Sequence, residues 1–72
     1  MRKEKLVGKP VILKNVFCMD NINGVVIEEY KDVEGILEKI GPNEFFGWEI
    51  SATVDGRCYK INTLSQIAPI YN

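Results

Sequence analysis

Two dipeptides constrain this chain more than any other feature: Asn23-Gly24 and Asp55-Gly56. Both residues of such a pair accept positive φ, so each pair closes a tight hairpin whose twist matches its strands. The flanking runs are rich in β-branched and aromatic residues, which suit a pleated, half-buried surface. Val11-Ile12-Leu13-Lys14-Asn15-Val16-Phe17 reads as a first strand, and Asp20-Asn21-Ile22-Asn23-Gly24 as a turn cluster. Val25-Val26-Ile27-Glu28-Glu29-Tyr30 reads as the second strand. Residues 44–53 read as a further strand, with Arg57-Cys58-Tyr59-Lys60-Ile61 returning after Asp55-Gly56. Asn62-Thr63-Leu64-Ser65-Gln66 suits a short or 3₁₀ turn, and Ile67-Ala68-Pro69-Ile70 a closing edge strand. Pro69 has no N–H to donate, so only an edge accommodates it.

Phase along residues 44–53 assigns the core. Phe46, Trp48, Ile50, Ala52 and Val54 share one face at period two, and Phe45, Gly47, Glu49, Ser51 and Thr53 share the other. The first face, joined by Tyr59, is the expected interior, because large rings bury much area in a short chain. Phe45 is then expected outside. Residues 30–40 admit two readings. Tyr30, Val33, Ile36, Leu37 and Ile40 fall on one helical face, and Gly41-Pro42 is a good helix stop. Gly35 disfavours a helix interior, and a strand over 35–40 completes an unbroken meander in which consecutive strands pair. The strand is preferred here, with an α+β fold carrying a helix near residues 30–40 as the alternative.

Length and composition then exclude whole classes. A chain of 72 residues is one small domain with a thin core. It has no His, which removes Ser-His-Asp and Cys-His catalysis and HExxH zinc sites. Cys18 and Cys58 are too few for a four-ligand zinc site, and Cys58 has no partner base to make it a nucleophile. No cofactor or metal is expected. Asp20-Asn21-Ile22 has an apolar residue where a calcium loop needs an oxygen ligand. No apolar run approaches the ~20 residues of a membrane span. The basic start lacks a following apolar stretch, so a cytoplasmic protein with reduced thiols is expected.

The order of elements resembles the SH3-like small β-barrel. The resemblance rests on Gly8-Lys9-Pro10-Val11-Ile12-Leu13, on Asn23-Gly24-Val25-Val26, on Gly47-Trp48 and on Asp55-Gly56-Arg57. It continues through Leu64-Ser65-Gln66-Ile67-Ala68-Pro69-Ile70. It implies a mostly-β antiparallel barrel of about five strands, with residues 1–9 as a polar N-terminal arm and 10–72 as the barrel domain. The Ala-Leu-Tyr-Asp-type motif that binds proline-rich peptides has no counterpart. A fold of this kind hosts many roles, so function must come from a site.

The expected role is non-enzymatic protein–protein interaction, with self-association through an edge strand included. An assembly adaptor or a phage-type inhibitor fits the size and the missing chemistry. The contact surface is expected at Phe45 and Tyr30 with the acids Glu28, Glu34 and Glu49. Exposed rings are frequent interface anchors, and an acidic face suits a basic partner. The alternative is a nucleic-acid or nucleotide module using Arg2, Lys3, Lys5 and Lys14 with a stacking tyrosine. A net charge of −1 disfavours it. A hydrolase working through Glu28 or Glu34 ranks last, since so small a chain has little room for a cleft.

Overall fold

The computed structural model describes residues 2–70, the side chain of Arg2 excepted. A 3₁₀ helix (Arg2–Leu6) is followed by β1 (Pro10–Ile22), β2 (Val25–Asn43), β3 (Trp48–Val54) and β4 (Arg57–Lys60). A second 3₁₀ turn (Leu64–Gln66) leads into β5 (Ile67–Pro69). All strand pairs are antiparallel, in the order β4-β3-β2-β1-β5. The mostly-β, five-strand expectation is met.

Both dipeptides close their hairpins as expected. Asn23 and Gly24 have φ of 52° and 82°, and Asp55 and Gly56 have 48° and 81°. Asp20 to Ile22, expected in the turn, instead extend β1 opposite Val25 to Ile27. The helical alternative for residues 30–40 is overturned, because that stretch lies within β2. Its first half pairs with β1 and its second half with β3. Gly35 explains the ambiguity. A Cβ there would overlap the Asp55 carboxylate and the Val54 side chain. The glycine therefore serves the close approach of the β3–β4 turn, where Asp55 Oδ1 accepts from the Ile36 N–H at 3.0 Å.

The barrel is not closed. β4 and β5 end the sheet at opposite sides and share no ladder. Each is short, at 4 and 3 residues, and Pro69 lacks a donor, so neither offers the other an extended pairing edge. The sheet instead curls, and β1 and β4 are linked by side chains. Arg57 reaches the Met19 carbonyl at 3.4 Å and Asp20 Oδ1 at 3.6 Å.

A bulge in β1 decides what enters the core. Leu13 pairs with Val33 but Val16 with Lys31, so Lys14 and Asn15 together face Asp32. Asn15 takes positive φ (53°), and its N–H donates to Asp32 Oδ1 at 3.0 Å. One extra residue reverses the inward phase. Val11 and Leu13 are buried before the bulge, and Val16 and Cys18 after it. Leu37, Ala52, Val54, Tyr59, Ile61 and Ile67 complete the interior.

The expected core is therefore partly corrected. Ala52, Val54 and Tyr59 are buried, Trp48 and Ile50 are half-buried, and Phe46 is 57% exposed. The strand does not begin at Glu44. Asn43 pairs with Trp48, leaving Glu44-Phe45-Phe46-Gly47 as the connecting turn. Asn43 Oδ1 accepts from the Phe46 N–H at 3.1 Å, and Gly47 has φ of 71°. A residue in that left-handed conformation breaks the strand's alternation, so phase no longer carries Phe46 inward.

The N-terminal segment is tied to the sheet. Leu6 packs against the core, and the Gly8 N–H donates to the Leu37 carbonyl at 2.7 Å. By contrast, residues 21–32 of the β1–β2 hairpin are exposed throughout.

Candidate binding surface

The reversed phase after Asn15 turns Phe17 and Met19 outward. Phe17 pairs across the ladder with Tyr30, and their rings meet edge to face, 5.5 Å between centroids. The turn between β2 and β3 supplies a second group. Phe46 stacks on Trp48 at 4.6 Å with 20° between planes, and Phe45 meets Phe46 edge-on at 4.9 Å. Such pairs are the preferred geometries of aromatic quadrupoles.

The two groups line adjoining hollows. One, of about 390 Å³, is bounded by Phe17, Tyr30, Trp48 and Lys60. The other, of about 290 Å³, is bounded by Phe17, Met19, Phe46, Trp48, Arg57 and the Cys58-Tyr59 pair. Phe17 and Trp48 belong to both and form the ridge between them. Arg57 lies 5.7 Å over the Tyr59 ring. Asp20 holds Arg57 in place and also accepts from Lys31 at 3.4 Å. The Lys31 ammonium sits above its ordinary pKa, first through its hydrogen bond to Asp20 and then through Glu29.

The expected contact residues are only partly brought together. Tyr30 is 67% exposed and belongs to the surface; Phe45, 88% exposed, joins it through Phe46. Glu28 is exposed opposite Met19, two residues from Tyr30 and on its face of β2. Glu34 lies further along β2 opposite Ile12, away from the rings in the ladder. Glu49 lines a further hollow of about 350 Å³, which shares Trp48 and Lys60 with the first and also touches Ile61 and Asn62. Of the basic set, the Lys3 ammonium donates to the Ile67 carbonyl at 2.6 Å, and Lys5 and Lys14 are exposed. The side chain of Arg2 and the whole of Tyr71 lie outside the described residues.

Phe17, Met19, Phe46, Trp48, Arg57 and Lys60 line these hollows and were not among the contact residues expected from the sequence. Asn15 was the available signal, since Asn is the non-glycine residue best suited to a left-handed bulge position.

A third feature lies on the other side of β3. A hollow of about 530 Å³ is bounded by Lys39, Asn43, Glu44, Ser51, Thr53 and Cys58, among others. Asn43 Nδ2 donates to Cys58 Sγ at 3.2 Å. Burial pushes the Cys58 thiol's pKa up. The polar surroundings of Ser51 and Thr53, the Asn43 hydrogen bond and the charge of Lys39 outweigh it, leaving the thiol below its ordinary value. Cys18, 3% exposed, and Cys58 are both free thiols. Among the described residues, no three His, Cys, Asp or Glu side chains come together as a metal would require. No described helix is long and apolar enough to cross a membrane.

No protein-family model matches the chain, and no curated protein or solved structure does either.

Proposed function

We propose that this protein is a non-enzymatic binding module whose partner is another protein. The observation that carries the reading is the aromatic cluster of exposed Phe17, Tyr30, Phe45 and Phe46 with half-buried Trp48 around two hollows. A chain this short gains by burying large rings, so rings held in ordered pairs at the surface suit an interface better than a fold. We also read the sheet as SH3-like. The support is a meander whose last strand returns to β1 after a 3₁₀ turn. A cytoplasmic adaptor or phage-type inhibitor, self-associating or not, remains the role we attach to this surface.

The test is capture of partners by immobilised protein, comparing the native chain with the double variant Tyr30→Ala, Phe46→Ala. We expect the native chain to retain defined proteins that the variant loses, while both unfold cooperatively. Identical capture by the two would remove the aromatic surface from the account. Nucleic-acid binding keeps one supporting observation, Lys60 beside Tyr30 and Trp48. Ten acids against nine bases oppose it. Capture that falls steeply with salt would favour it.

A further inference from the structure

We infer that the paired hollows hold an extended, acidic peptide segment that places a bulky apolar side chain beside a carboxylate. This rests on the protein-binding reading above and specifies the partner's chemistry.

Charge complementarity points to this occupant. The chain carries ten acidic side chains and nine basic ones, yet among the described residues no carboxylate lines either hollow, the nearest lining acid being Glu49 in the further hollow that shares Trp48 and Lys60. Each hollow has one cation: Lys60 beside Phe17, Tyr30 and Trp48, and Arg57 beside Phe46, Trp48 and Tyr59. Lys60 is exposed and has no carboxylate within salt-bridge distance among the described residues. Arg57 already shares Asp20, so Lys60 is the stronger anchor for an incoming acid.

The shape agrees. The hollows adjoin and share a ridge made by Phe17 and Trp48. Neither is large enough for a folded element, but each admits a side chain. An extended segment lying across the ridge would seat one apolar group in each hollow and leave its carboxylate at Lys60. A nucleic-acid strand carries the same pairing of ring and anion. Its repeated phosphates would also meet Glu28, Glu44 and Glu49, all exposed on the flanking elements, whereas a peptide with one or two acids would not.

Trp48 is the chain's one tryptophan and lines both hollows as well as the one beside Glu49, so its fluorescence reports binding at this face, and the Lys60→Gln variant locates the acid. The full chain is titrated with the blocked tetrapeptide Asp-Phe-Glu-Leu, its amide twin Asn-Phe-Gln-Leu, and octathymidylate. We expect the acidic peptide to shift Trp48 emission and to bind about three- to fivefold tighter than the twin, which is what an exposed ion pair contributes. Lys60→Gln should erase that difference without unfolding the chain, since the side chain is exposed. Equal binding of the two peptides overturns the acidic preference and leaves the protein-binding surface standing. Loss of partner capture in the Tyr30→Ala, Phe46→Ala variant with no response to either peptide overturns the extended-segment occupant alone. A response to octathymidylate only overturns both readings. So does a Trp48 shift driven by protein concentration alone with a dimer in light scattering, which would make a second copy the occupant.

Discussion

The two ends of this molecule use similar apolar residues in opposite ways. At one end Val11, Leu13, Leu37, Ala52, Val54 and Ile67 are sealed inside the curled sheet. At the other, Phe17, Met19, Tyr30, Phe45 and Phe46 stand at the surface, beside a hairpin exposed along residues 21–32. Their hydrophobicity does not separate the two sets. Backbone irregularities do: the bulge at Lys14-Asn15 turns Phe17 and Met19 outward, and the left-handed Gly47 closes the turn that carries Phe45 and Phe46. The first end forms the core, and the second is the one we propose for recognition.

Substitutions in the sealed core should have the largest effect. Leu13→Ala or Leu37→Ala should cost about 2–5 kcal/mol, lost transfer energy plus a residual cavity. Urea unfolding measures it, and a cost near zero would mean that the interior is misplaced. Gly35→Ala should cost about 1–3 kcal/mol, because the new methyl must displace Asp55 and Val54. A neutral result would show that the β3–β4 turn does not press on β2. Gly56→Ala should cost about 1 kcal/mol from its left-handed φ of 81°, with open space around the new methyl. At the other end, Tyr30→Ala or Phe45→Ala should change stability by no more than about 0.5 kcal/mol, since neither ring is sealed from water.

Cys58 gives the smallest effect and a pH-dependent one. Its lowered pKa means that, just below the ordinary thiol value, more of it is thiolate than in an unfolded chain. Any stability from this is present above the unfolded pKa and lost as pH falls through the folded one. Alkylation by iodoacetamide should therefore reach half its maximal rate at a lower pH for Cys58 than for a free thiol. Asn43→Ala should move that midpoint up by removing a donor to the sulfur. Cys18 should stay unmodified until the chain unfolds.

Much of the fold was legible because its turns are written in specific dipeptides. Asn23-Gly24 and Asp55-Gly56 place two hairpins, and Thr63 with Gln66 caps the 3₁₀ turn before β5. The interior of β3 and β4 followed from period two at Ala52, Val54 and Tyr59. Period two failed where the backbone adds a residue or turns left-handed. Asn15 moved Phe17 outward, and Gly47 released Phe46 from the strand. Gly35 read as a helix breaker or a strand start because its reason, the approach of Asp55, is a contact far along the chain. The open barrel was hidden similarly, since closure depends on whether two short terminal strands meet. At the site, Tyr30 and Phe45 were legible as exposed rings, whereas Lys60 and Arg57 acquire meaning only through the residues folded beside them.

If the aromatic end is the proposed binding surface, its rings do not hold the fold together. Thermal unfolding of the double variant Tyr30→Ser, Phe45→Ser tests it most directly. The midpoint should stay within about 8 °C of the native chain, because the two changes together cost no more than about 1 kcal/mol, which moves a domain this size by about 4–8 °C. A drop as large as that of Leu13→Ala would place these rings in the folding core and contradict it.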